Sequence, residues 1–127
     1  MSPPCSGVTV VVVDDDASFR SGLAANLEDD GHAVRQYDDP RAVPPAALAD
    51  AQIVVTDYQM ADIDGLTFAD NVHAVRPEVA IVLATAYWTV EMEALVAARR
   101  FIRLCRKPID YDEIHALVHA LAAAGRS

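Results

Sequence analysis

The chain has 127 residues, 53% of them hydrophobic and 23% charged. That balance suits one globular domain, at roughly 100–200 residues per domain, and excludes a disordered chain. No apolar run approaches the roughly 18 residues of a membrane span, and the opening Met1-Ser2-Pro3-Pro4-Cys5 lacks the basic-then-apolar pattern of a secretory leader. Nineteen acids against ten bases leave a net charge of −9, the wrong sign for gripping a phosphate backbone, so no direct nucleic-acid partner and no membrane partner are expected.

Val8–Val13 is a β-branched, almost wholly apolar run, and it predicts a strand buried on both faces. Asp16–Asp30 follows as a helix, with Asp16 as its N-cap, Phe19, Leu23 and Leu27 at helical spacing, and Gly31 as its stop. Ala33–Tyr37 is a weaker strand. Asp39 and Pro40 open an uneven helix that runs past Pro44-Pro45 to Ala49. Ile53–Thr56 is a third strand, and 57–64 is a loop. Leu66–Arg76 is a helix ended by Pro77, Val79–Thr85 a fourth strand and Thr89–Arg100 a helix. Ile102–Cys105 is a fifth strand, and Tyr111–Ala124 a last helix. Strands alternating with helices favour a parallel sheet covered on both faces through right-handed crossovers. The expected domain is therefore residues 8–124, with short tails at 1–7 and 125–127.

Sheets of this kind place their ligands at the carboxyl ends of the strands. The first strand ends in Asp14-Asp15-Asp16, the third in Asp57, the fourth in Thr85-Ala86, and the fifth in Arg106-Lys107-Pro108, which carries the chain's one lysine. Two carboxylates about 4 Å apart repel by roughly 4 kcal/mol at an effective dielectric near 20. The cluster of Asp14, Asp15 and Asp57 therefore calls for a counter-charge or for raised pKa values. Mg²⁺ fits, because it takes one or two carboxylates, keeps its waters and shares its shell with a phosphate. Lys107 adds a compact cation and Thr85 a hydroxyl, and an Asp beside the metal can be the nucleophile that becomes an aspartyl-phosphate.

These residues resemble the receiver domain of two-component response regulators, of the flavodoxin-like chemotaxis-regulator type. The resemblance runs from Val8 to Ala124. It rests on Val13-Asp14-Asp15, on Thr56-Asp57-Tyr58-Gln59-Met60 with Asp62 and Asp64-Gly65-Leu66, on Ala84-Thr85-Ala86, and on Arg106-Lys107-Pro108. It implies a (βα)₅ doubly wound, three-layer fold with strand order 2-1-3-4-5. Asp57 would accept a phosphoryl group from a phosphohistidine on a sensor histidine kinase or histidine phosphotransfer protein. Mg²⁺ would be held by Asp15, Asp57 and the Gln59 backbone carbonyl, with Asp14 acting through water. Lys107, the Thr85 hydroxyl and the Ala86 amide would meet the phosphoryl group. A face made of the fourth helix, fifth strand and fifth helix would then switch toward a downstream protein or linked output domain.

Three positions depart from the family's usual pattern. Leu104 stands where an aromatic switch residue is common, Ala61 where Pro is common, and Arg99-Arg100-Phe101-Ile102-Arg103 where a small Gly-rich turn is common. Gln59 and Tyr87 hold the positions that tune phosphoryl lifetime, and bulky Tyr87 is expected to restrict water and lengthen it. Half of the ten basic residues fall between Arg99 and Lys107, and Asp110, Asp112 and Glu113 follow. That run is either a solvated face or a partner surface, on which opposite charges can meet across a homodimer. Trp88 is either an exposed partner contact or a lid on the Arg-rich segment. His115 and His119 stand four apart on the last helix, a metal-ligand spacing. No third ligand is evident along the chain, so no metal is assigned to them. Cys5 and Cys105 are the only cysteines, too few for a disulfide framework. They suit a reducing cytoplasm, with Cys105 a small core residue.

Two rival functions use the same residues. Asp14-x-Asp16 superficially matches the start of Mg²⁺-dependent haloacid-dehalogenase-like phosphohydrolases, with an Asp nucleophile on the first strand. A pseudo-receiver would bind partners without phosphorylation. The first leaves Asp57 unexplained, and the intact Asp14, Asp15, Asp57, Thr85 and Lys107 argue against the second.

Overall fold

A computed structural model describes residues 7–59, 64–86 and 88–125. Five strands, β1 (Thr9–Val13), β2 (Ala33–Tyr37), β3 (Ile53–Asp57), β4 (Ala80–Thr85) and β5 (Ile102–Arg106), form one parallel sheet in the order β2-β1-β3-β4-β5. Five helices, α1 (Ala17–Asp29), α2 (Pro45–Ala49), α3 (Gly65–Val75), α4 (Val90–Ala97) and α5 (Tyr111–Gly125), connect and cover it.

The two-residue period of a strand splits the valines of β1 between two cores. Val10 and Val12 pack with Leu23 and Leu27 of α1 and Ile114 and Val118 of α5. Val11 and Val13 pack on the other face with Leu66, Ala69 and Val72 of α3 and Met92 and Val96 of α4. All four valines are fully buried, which explains why β1 reads as a continuous apolar run.

The expected caps are present. Asp16 accepts a hydrogen bond from the Phe19 amide, and Gly31, with φ at 95°, supplies the left-handed turn that ends α1. The single helix expected from Asp39 to Ala49 is instead two pieces, a 3₁₀ turn over Pro40–Ala42 and then α2. Proline is the cause. Pro44 drives the preceding Val43 into extended backbone (φ −79°, ψ 110°), so the helix cannot run through. The fourth helix is also shorter than expected, ending at Ala97 rather than Arg100.

Candidate functional site at the carboxyl edge of the sheet

Parallel pairing brings the ends of β1, β3, β4 and β5 to one edge. Asp14 follows β1 directly and is only 1% exposed. Both of its oxygens are committed, Oδ1 to the Asp16 amide at 2.9 Å and Oδ2 to Lys107 Nζ at 2.7 Å. Its backbone carbonyl accepts from the Arg20 guanidinium at 2.6 Å. Asp57 ends β3, and its Oδ1 accepts the Tyr58 amide at 2.7 Å. Its Oδ2 lies 3.6 Å from Lys107 Nζ. One ammonium thus serves two carboxylates. Lys107 is held there from two further sides: its amide bonds the Thr85 carbonyl at 2.8 Å, and its Nζ lies 4.1 Å from the centre of the Phe19 ring.

Burial pushes the Asp57 carboxyl above its usual range. Lys107 opposes this, the charge of Asp14 reinforces it, and the amides of Tyr58 and Gln59 oppose it. Asp15 is exposed, and the carboxylate oxygens of Asp14, Asp15 and Asp57 lie within 4.8 Å of one another. The donor set is all oxygen and the central acid is short of positive charge, so these residues fit Mg²⁺. With Asp14 already bonded on both oxygens, Asp15 and Asp57 are the carboxylates left to ligate. A cavity of about 330 Å³ opens beside them, lined by Asp15, Asp16, Asp57, Gln59, Ala86 and Lys107. Thr85 is fully buried at the end of β4, next to exposed Ala86.

The structure therefore gathers Asp14, Asp15, Asp57, Gln59, Thr85, Ala86 and Lys107 at one edge. Tyr87 lies outside the described residues, as do Cys5, Met60, Ala61 and Asp62. The geometry also weighs against the phosphohydrolase reading. Asp14 is buried and fully bonded, and Asp16 is spent on capping α1, so neither is an available nucleophile.

Leu104 is partly buried against the α3/α4 core and, with Trp88, lines two grooves of about 650 and 600 Å³. Trp88 packs on the Arg-rich segment: the Arg106 guanidinium stands 4.6 Å from its ring centre, and its Nε1 donates to Glu93. Arg99 is a structural tie, donating two hydrogen bonds to Asp70 of α3. Cys105 is half-buried beside the α1/α5 core, and burial pushes its thiol up, consistent with a packing residue.

Residues 10–119 match the family model of the response regulator receiver domain. The chain belongs to that family. It is 32% identical over 119 residues to the transcriptional regulatory protein FixJ of Azorhizobium caulinodans, covering 93% of this chain and 56% of FixJ. It is 30% identical over 115 residues to the DNA-binding transcriptional regulator NtrC of Azospirillum brasilense, covering 89% of this chain and 24% of NtrC. The receiver domain thus spans about half of the one relative and a quarter of the other. Among solved structures, the CheY-like receiver domain protein of Methanospirillum hungatei JF-1 superposes with a TM-score of 0.86 at 17% identity, covering 95% of this chain and 98% of that one. This receiver domain is a two-component signalling module with the flavodoxin-like (βα)₅ fold. Among its described residues no helix is long and apolar enough to cross a membrane.

Proposed function

We propose that Asp57 is the phosphoryl acceptor of this receiver domain and that Lys107, Thr85 and Ala86 receive the transferred group. The donor is a phosphohistidine on a sensor histidine kinase or a histidine phosphotransfer protein. An Asp57 oxygen forms the new O–P bond as the N–P bond breaks, and the electron pair of that bond returns to the departing imidazole. Lys107 exchanges part of its contact with Asp14 for the phosphoryl oxygens, the Thr85 hydroxyl turns to them, and the Ala86 amide donates to them. Asp15, Asp57 and the Gln59 carbonyl would hold Mg²⁺, with Asp14 reaching it through water. When bound, the metal supplies positive charge opposite the incoming phosphoryl oxygens. The observation that carries this reading is the setting of Asp57: a half-buried carboxyl at a strand end, above its usual pKa, with a lysine 3.6 Å away and a cavity in front.

The domain takes part in its own phosphotransfer and dephosphorylation rather than turning over a separate substrate. Gln59 and Tyr87 set the lifetime of the phosphoryl group. The α4–β5–α5 face, with Leu104 at its centre, carries the signal to a downstream protein or a linked output domain in the cytoplasm. The acids at Asp110, Asp112 and Glu113 support homodimerisation through the same face, opposite the exposed Arg100 and Arg103.

Intact-mass spectrometry after incubation with acetyl phosphate and Mg²⁺ tests the core of this reading. One phosphoryl group is expected on the wild type and none on Asp57→Asn. An unmodified wild type under conditions that preserve acyl phosphates would favour a pseudo-receiver. An adduct that survives in Asp57→Asn would place the acceptor elsewhere.

A further inference from the structure

The four histidines of the chain are His32, His73, His115 and His119. Three of them gather near one carboxylate, Asp30, at the edge of the sheet opposite Asp57. Asp30 caps the C-terminus of α1, His32 precedes β2, and His115 and His119 lie one turn apart on α5. Asp30 Oδ2 is 2.7 Å from His119 Nε2 and 3.4 Å from His32 Nε2. Donor atoms of Asp30, His32 and His119 all lie within 4.8 Å of one another. The sequence spacing finds the α5 pair but no third ligand; the fold supplies it from a residue 89 positions away from His119.

The proton positions assign different roles to these groups. The His32 side chain is 1% exposed, and its Nδ1 accepts the Val8 amide at 3.2 Å. A neutral imidazole whose Nδ1 accepts must carry its proton on Nε2. His32 therefore presents an N–H beside Asp30, and ligating a metal through Nε2 would require giving up the Val8 bond. At 3.4 Å that N–H is too far and poorly aligned to be bonded, so His32 Nε2 is buried without a hydrogen-bond partner; so are His115 Nε2 and Oδ1 of Asn26, four residues before Asp30 on α1. Since α1 packs on α5, one helix seam holds a carboxylate, two imidazoles at i and i+4, and buried polar atoms left unsatisfied. An unsatisfied buried group of this kind points to a water or an ion. Two imidazoles with one carboxylate are the donor set of a zinc-class ion, whereas Mg²⁺ prefers oxygen alone.

We propose that Asp30, His115 and His119 bind a first-row transition-metal dication of the zinc class, with the His32 N–H, 3.4 Å from the Asp30 carboxylate, as its outer-shell neighbour. In the metal-free arrangement the close group is Asp30, His32 and His119, and His115 joins by turning its ring on the same helix face. The site is open to an ion, since the side chains of Asp30 and His119 are 27% and 43% exposed. A bound ion would pin the C-terminal end of α1 to α5. On binding, the His32 N–H would close on the ligating carboxylate as its outer-shell donor.

Calorimetric titration of ZnCl₂ into the full chain, with excess MgCl₂ occupying the acidic edge, tests this. The wild type is expected to bind one equivalent. His115→Gln and His119→Gln should each bind about ten-fold more weakly or worse, a loss of the size that damage to a metal site produces. His73→Gln and Asp57→Asn should bind like the wild type. Circular dichroism reports whether each variant is folded, and Co²⁺ gives a second readout through its visible absorption in a tetrahedral site. No binding by the folded wild type would overturn the proposal. So would unchanged affinity in the His115→Gln/His119→Gln double variant, or loss in Asp57→Asn, which would put the ion among the acidic residues. Loss in His32→Gln with full binding by His115→Gln would overturn the ligand assignment.

Discussion

Asp57 is positioned so that ionising it works against folding. Its carboxyl sits above the ordinary range chiefly because it is buried, and Asp14 adds to that; Lys107 and the Tyr58 and Gln59 amides only partly compensate. A carboxyl raised in the folded state contributes stability that is fully present below its unfolded pKa and is lost as pH rises through its folded pKa. Above the folded pKa of Asp57 that stability is gone. Asp57→Asn keeps an oxygen for the Tyr58 amide and removes the charge. Without Mg²⁺ its Tm at pH 7 should therefore exceed that of the wild type, and the gap should close as pH falls through the folded pKa of Asp57. Added Mg²⁺ should raise the wild-type Tm and narrow the gap at pH 7. An Asp57→Asn protein that melts below the wild type in metal-free buffer would show that the Lys107 pairing outweighs burial. At this scale the sequence exposes the residue types, because an acid cluster with a single lysine is visible in one dimension. It does not expose which oxygens are already taken. Asp14 is committed by one contact two residues away and another 93 residues away.

Elements meet at the site through one glycine. Gly65 opens α3, its amide bonds the Tyr58 carbonyl at 2.7 Å, and a Cβ added to it would lie 1.9 Å from the Asp57 carbonyl oxygen. The clash is with backbone, so no side-chain rotation relieves it. Gly65→Ala should force α3 away from the end of β3 and cost on the order of 1–3 kcal/mol, as overpacking does, read as a lower urea midpoint at unchanged slope. It should also slow adduct formation at Asp57, because the displaced backbone carries the acceptor. A variant with wild-type midpoint and rate would mean that the close approach is not needed. The glycine itself is plain in Asp64-Gly65-Leu66, but its reason is a contact between two elements. Local signals were more legible: Asp16, Asp39 and Gly31 act where their chemistry predicts. The break at Val43-Pro44 was also written in the chain, because a residue before proline resists helix.

The whole molecule depends on a sheet whose strands are unequal. Alternation of apolar runs with helical periods gives a parallel, two-sided sheet, but no periodicity gives strand order; 2-1-3-4-5 followed from the resemblance alone. Long ties such as Arg99 to Asp70 were likewise invisible, because charge complementarity across 29 residues has no sequence period. The order has an energetic consequence. β1, β3 and β4 are paired on both sides, and their interior residues are buried on both faces. β2 and β5 are edges with mixed exposure. Amides of the central strands can open only when both cores separate, so they should exchange through global unfolding, whereas an edge strand can peel away locally. Hydrogen exchange is therefore expected to be slowest over 10–13, 53–56 and 81–84. It should be faster over 33–37 by on the order of ten-fold or more, since β2 adds little burial to either core. Equal protection of β2 and β1 would mean that the Arg35–Asp50 pair and the Arg35 bond to the Ala47 carbonyl lock that edge into the global unit. Arg35→Ala would then be the variant that releases it.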